Sequence, residues 1–200
     1  RALDYLRQLE REIGMLAAEI GHGQQVTRMY WGGGTPNFFR PDELAGLAGT
    51  IRGLFRVRPG GDHTIEIDPR NAEPELAARL AAIGFNRLAI RVPDLDPEVL
   101  RAVRRPQAAI PTAGFIADAH EAGFRSIGLE LVCGLPRQTA KGFLRTLEEL
   151  IAMGPTRITL HDYRHQPQRY RNQRHIRAAE LPSLAELTSL HARAHERLAA

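Results

Sequence analysis

The feature that most constrains this chain is an alternation of short β-prone runs with helical segments. Tyr5, Leu6, Leu9, Ile13, Leu16 and Ile20 recur at helical spacing and predict a helix over residues 2–21. A strand follows at 26–31 and ends at Gly32-Gly33-Gly34. Pro41-Asp42-Glu43 opens a helix that carries Leu44, Leu47, Ile51 and Leu54 on one face. The pattern continues with a strand at 64–67, a helix at 74–83 closed by Gly84, and a strand at 88–92. Helices at 97–103 and 112–122, a strand at 126–133, a helix at 140–153 and a strand at 157–160 complete it, with a helical tail after Pro182. Strands separated by helices of this length argue for βαβ units and a parallel sheet. Because the order opens on a helix, the expected fold is α/β: a partial (β/α)6 open barrel whose first strand is missing. Eight units usually need about 250 residues, more than the 200 here. The chain starts at Arg1 inside a helical pattern, so it reads as an excerpt of a longer protein. No linker or low-complexity stretch divides it, and a single domain over 1–200 is expected.

Composition enters mainly through exclusions. With 43% hydrophobic and 25% charged residues the chain is of ordinary globular type. No run of eighteen apolar residues suggests a membrane span, and no signal-peptide pattern opens it. Cys133 is the one cysteine, which excludes an internal disulfide and any four-cysteine metal or iron–sulfur site built from this chain alone. The net charge of +4 comes from 27 basic and 23 acidic residues, which read as well mixed along the chain. That is a weak pointer to nucleic acid.

In parallel βα folds ligands gather at the carboxyl ends of strands. The first such exit is Trp31-Gly32-Gly33-Gly34-Thr35-Pro36, where glycines permit close backbone approach or positive φ. It reads either as a ligand cradle or as a tight turn. At the second, Glu66 and Asp68 share a strand face. Glu66, flanked by isoleucines, suits a hydrogen-bond acceptor for a ribose or amine, and Asp68 suits a turn cap. Glu130 repeats the pattern in the strand that ends at Cys133, and Cys133 reads as a small buried hydrophobe. His161 and His165 have spacing that invites a metal, but Pro167 argues against a helix there. Residues 164–177 are dense in Arg, His, Gln and Tyr, and read either as an anion-binding segment or as a solvated loop. His191 and His195 read as a surface stripe.

Taken in order, Trp31-Gly32-Gly33-Gly34-Thr35-Pro36, Glu66-Ile67-Asp68-Pro69-Arg70, Gly84-Phe85-Asn86-Arg87-Leu88 and Gly134-Leu135-Pro136-Arg137-Gln138-Thr139 resemble a known family. They are similar to the radical S-adenosylmethionine (SAM) enzymes of the oxygen-independent coproporphyrinogen III oxidase type. Asp94 to Val99, Arg105-x-Gln107 and Leu181-Pro182 fit as well, and Glu66 to Arg70 favours the oxidase over the heme-chaperone branch. The resemblance implies a radical-SAM-type barrel and a [4Fe-4S] cluster on a C-x3-C-x2-C loop that would lie upstream. It implies an electron donor for that cluster and a porphyrinogen substrate whose propionates become vinyls in heme biosynthesis. It also implies that Gly33 and Glu66 contact the cluster-bound SAM. Gly34, Thr35, Arg105 and Glu130 fall at positions associated with a second SAM.

The chain departs from the family at Arg91 and Pro93, where the family has Gly-Val-Gln-Asp. It departs again at Glu130 for aspartate, Cys133 for tyrosine and Arg164 for a small residue. Arg91, Arg105 and Arg164 suit pairing with propionates. The full-length parent is expected to be the active oxidoreductase, and this chain alone inactive. Two alternatives stand beside this: an altered homologue that binds SAM or heme, and an Arg-rich nucleic-acid module.

Overall fold

Five strands form one sheet in chain order, β1-β2-β3-β4-β5. They are β1 (Gln25–Trp31), β2 (Arg56–Ile67), β3 (Arg87–Arg91), β4 (Ser126–Cys133) and β5 (Arg157–Asp162). β1 runs parallel to β2, and β4 parallel to β5. Helices supply the crossovers that parallel strands require: α1 (Ala2–Ile20), α2 (Pro41–Leu54), α3 (Leu76–Ile83), α4 (Pro97–Ala102), α5 (Ala109–Glu121), α6 (Ala140–Ala152) and α7 (Leu184–Ala199). This computed structural model describes residues 2–105 and 109–199. Gln107 of the Arg105-x-Gln107 motif lies outside the described residues. No described helix is long and apolar enough to cross a membrane.

The expected elements are all present, with two instructive differences. β2 starts at Arg56 rather than Thr64, because Pro59-Gly60-Gly61 is an excursion inside the strand and not a turn before it. The register passes from Val26↔Val57 directly to Arg28↔Asp62, so residues 58–61 bulge out. Gly61 makes this possible: a Cβ there would lie 2.5 Å from the Thr27 carbonyl oxygen. The helix expected from Pro74 starts only at Leu76, because Glu75 sits in the left-handed region at φ 64°.

By backbone contacts the chain divides into two compact units. The first comprises residues 1–89 with 118–126. Its core joins Leu44 and Leu47 of α2, Ile65 and Ile67 of β2, and Leu76 and Leu80 of α3. In β2 burial alternates strictly from Gly61 to Ile67, which places Glu66 on the opposite face from the isoleucines. α1 buries only Leu6 and Ala17 fully and leaves Tyr5, Met15, Leu16 and Ile20 exposed.

The second unit comprises residues 90–117 and 127–200. Ile127, Leu129, Leu131 and Cys133 of β4 pack in its core, with Phe143, Leu147 and Leu150 of α6 and Leu190 of α7. Inside that apolar layer lies a fully buried carboxylate, Asp94. Its Oδ1 accepts the Leu95 N–H at 2.7 Å, the Asp96 N–H at 2.9 Å and the Thr146 hydroxyl at 2.6 Å. Its Oδ2 accepts from Gln138 Nε2 at 2.8 Å. Gln138 in turn donates to the Val132 carbonyl and accepts from the Gly134 N–H at 2.7 Å. The network thus ties the loop after β3 to the loop after β4.

A buried carboxylate with this many donors is stabilising only while the set is complete. Asp94→Ala strands Gln138 and Thr146 in the core, and we expect a loss of about 3 kcal/mol in urea denaturation.

Candidate active site

The register pairs Tyr30 with Thr64 and Trp31 with Ile65, which carries Gly32 to a place beside Glu66. Tyr30, Gly32 and Glu66 then share one face of the sheet. The Tyr30 hydroxyl donates to Glu66 Oε1 at 2.6 Å. Side chain and carboxylate close over Gly32, where a Cβ would stand 2.5 Å from Glu66 Cδ and 2.6 Å from Tyr30 Cε1. Gly33 is required for a different reason, since its φ is +83°. At Gly34 a Cβ meets nothing within 4 Å, so a side chain there would project into open space. Gly32 and Gly33 thus have separate physical causes, close packing and positive φ, and neither applies to Gly34.

The turn continues through Thr35, Pro36 and Asn37 and is pinned to the next strand exit. Buried Asn37 donates from Nδ2 to the Asp68 carbonyl at 2.9 Å and accepts the Asp68 N–H at 3.0 Å. Asp68 caps its own turn, as expected, by accepting the Arg70 N–H at 3.1 Å and the Arg70 guanidinium at 2.6 Å. That bonding holds the Arg70 guanidinium above its ordinary value. Beside the turn lies a cleft of about 450 Å3, lined by Tyr30, Trp31, Gly32 to Gly34 and Thr35, with Tyr5 and Leu9 of α1 on the other side. Glu66 does not line the cleft and is joined to it through Tyr30. Gly33, Gly34, Thr35 and Glu66 therefore come together in the first unit. Tyr30 and Asn37 were missed, because their roles depend on strand register that no local pattern displays.

The remaining expected residues belong to the second unit. Glu130 is one-fifth exposed and lies 3.8 Å from Arg91 Nε, and its carbonyl accepts the Val92 N–H at 3.0 Å. Arg105 follows α4, with its N–H on the Leu100 carbonyl at 2.8 Å. Cys133 is fully buried, and burial first, then the charges of Asp162 and Asp94, push its thiol up to about 12. It is a core side chain, not a nucleophile. His165 is bonded to the Tyr163 hydroxyl at 3.2 Å. His191 lies at the surface, as read from sequence, and there bonds to exposed Asp162 at 2.7 Å, and His195 is exposed too.

Residues 5–150 match the model of the radical SAM superfamily. The chain belongs to that superfamily. It is 39% identical over its whole length to an oxygen-independent coproporphyrinogen III oxidase of Pseudomonas aeruginosa, of which it covers 44%. Over 92% of its length it is 36% identical to the same enzyme of Escherichia coli, of which it covers 40%. The solved Escherichia coli coproporphyrinogen III oxidase, described as a radical SAM enzyme, superposes with a TM-score of 0.95 at 34% identity. That match spans 99% of this chain and 45% of the other. The α/β architecture is that of a partial radical SAM barrel, as the strand alternation implied. The chain spans less than half the length of these relatives.

Radical SAM membership implies SAM and a [4Fe-4S] cluster as cofactors. The glycine turn fits SAM: it passes Gly32 against the Glu66 carboxylate, an acceptor for the ligand's amine, and Gly34 faces open room. The cluster does not fit within these 200 residues, because it needs several thiolates and Cys133 is single and buried.

The triplet makes a graded prediction for urea denaturation. Gly32→Ala and Gly33→Ala each cost about 1–3 kcal/mol, through collision and strain respectively, while Gly34→Ala stays within about 0.5 kcal/mol of the parent. For Cys133, a disulfide reagent at pH 8 leaves the native thiol unmodified and labels it only on unfolding. Labelling of folded protein at the unfolded rate contradicts the raised thiol.

Proposed function

We propose that this chain is the SAM-binding core of a cytoplasmic oxygen-independent coproporphyrinogen III oxidase, acting in heme biosynthesis. The observation that carries this reading is the glycine turn locked to Glu66 by Tyr30 and to Asp68 by Asn37. The identity to the Pseudomonas aeruginosa enzyme supports the choice of substrate. Gly33 presents its backbone to the amino and carboxylate end of SAM, and Glu66 accepts hydrogen bonds from it. On the family resemblance alone, Gly34, Thr35, Arg105 and Glu130 are assigned to a second SAM. SAM bound here supplies the hydrogen-abstracting chemistry of the superfamily, with the electron delivered by a separate donor. The chain's own part is to orient SAM and hold the anionic substrate while its propionates are converted to vinyls.

The Arg91–Glu130 approach at 3.8 Å favours a second reading for one half of this site. A carboxylate engaged by arginine is less available to a second SAM, and the protein would then bind one SAM in place of two. Counting bound SAM by equilibrium dialysis of the reconstituted full-length protein separates the two.

Glu66→Ala in that full-length protein tests the main assignment. Losing a charged acceptor is expected to weaken SAM binding by about tenfold or more. An affinity equal to the parent's removes Glu66 from the site.

A further inference from the structure

The basic excess of the chain, read along the sequence as well mixed, is in fact concentrated. Residues 163–177 contain five arginines, two histidines and no carboxylate, so this one segment carries more than the whole net charge of +4. The rest of the chain is close to neutral. Elsewhere many arginines are matched with acids, as in Arg79–Asp42, Arg87–Asp62, Arg101–Glu98 and Arg197–Glu148. In the segment only Arg177 is matched, by Glu180 at 2.5 Å. Among the described residues no ion pair reaches Arg164, Arg169, Arg171 or Arg174, and all four are exposed.

This segment is not a slack, solvated run. Gln173 closes it on itself, accepting the Gln166 N–H at 2.5 Å and donating to the Arg164 carbonyl at 3.0 Å. Backbone bonds from Arg169 and Tyr170 to the Gln166 carbonyl and from Gln173 to the Tyr170 carbonyl form successive turns. Arg174 Nε reaches the Pro167 carbonyl, His175 reaches the Ala102 carbonyl at 3.1 Å, and Ile176 is buried as an anchor. At its start the Tyr163 N–H binds the Cys133 carbonyl at 2.7 Å, fixing the segment to the carboxyl end of β4. The Arg169 guanidinium lies 5.4 Å from the centre of the half-exposed Tyr170 ring. Like charges held on a fixed frame repel one another, and a bound anion relieves that repulsion.

We infer that the pinned loop at residues 163–177 is a recognition platform for a small polycarboxylate. Arg164, Arg169, Arg171 and Arg174 grip its carboxylates by the two-pronged geometry of guanidinium, and Tyr170 offers a flat face beside them. Resting on the proposed function, the ligand is the porphyrinogen and the carboxylates are its propionates. The charge sits on one compact loop on an otherwise balanced chain, which suits a compact ligand better than the long stripe a nucleic-acid duplex needs.

The test uses the full-length protein and coproporphyrin III, the stable oxidised tetracarboxylate, followed by fluorescence titration against its tetramethyl ester. Arg169→Gln, Arg171→Gln and Arg174→Gln combined should weaken coproporphyrin binding at least about tenfold and leave SAM affinity unchanged. The corresponding triple lysine variant should recover part of the loss, because charge returns without the fork. The ester should bind the parent and the glutamine variant alike. Equal coproporphyrin affinity in parent and glutamine variant overturns the platform. So does a duplex oligonucleotide that displaces coproporphyrin from the parent with a steep salt dependence. If neither protein binds coproporphyrin but mellitate, a hexacarboxylate, still binds in an arginine-dependent way, the platform stands and the porphyrinogen reading falls.

Discussion

Asn37 binds the N–H and the carbonyl of Asp68 with one amide, and in doing so fastens the exit of β1 to the exit of β2. In the other unit Gln138 does the equivalent for the exit of β4, held in place by Asp94. Loops at the ends of parallel strands have no ladder to satisfy their backbone groups, and burying them bare is costly. Each unit meets that requirement with a buried polar side chain that imitates a backbone partner. The polar residues thus have a structural role, and they also decide where the ligand-facing backbone lies.

The consequence at the candidate site is geometric. With the turn anchored at Asn37, the triplet at 32–34 passes alongside Glu66 with no slack for a side chain at Gly32. The Tyr30 hydroxyl fixes the carboxylate from the other side at 2.6 Å. A ligand that meets this turn finds donors and acceptors already placed and pays little to order them. The arginine loop follows the same principle with charge in place of shape. Gln173 bonds the loop's own backbone and so fixes the frame that carries the exposed arginines.

Much of the fold was legible because it rests on local periodicity. The strand at 126–133 and the helix opening at Pro41 are found where apolar spacing put them. β2 was shortened because proline and two glycines signal a break, and only pairing with β1 reveals that the strand resumes through a bulge. At the site, Gly33, Gly34, Thr35 and Glu66 were named from their motifs, and Asp68 was read correctly as a cap. Tyr30 was passed over because a tyrosine in a strand is unremarkable until the register puts it against a carboxylate. His191 was read correctly as a surface residue, but its bond to Asp162 was not foreseen, because Asp162 is remote in sequence.

Sequence alone determined the element order, the α/β class, the family resemblance and the exclusion of a cluster built on a single cysteine. These follow from period, composition and short motifs, all of which are local. Tertiary structure decided which glycine yields to which neighbour, that Glu66 is held by Tyr30, and that Arg91 approaches Glu130. It also decided that the arginine segment is a loop pinned by its own hydrogen bonds, with its arginines exposed. Those outcomes depend on distances between residues far apart in the chain, and such distances exist only once the strands have paired.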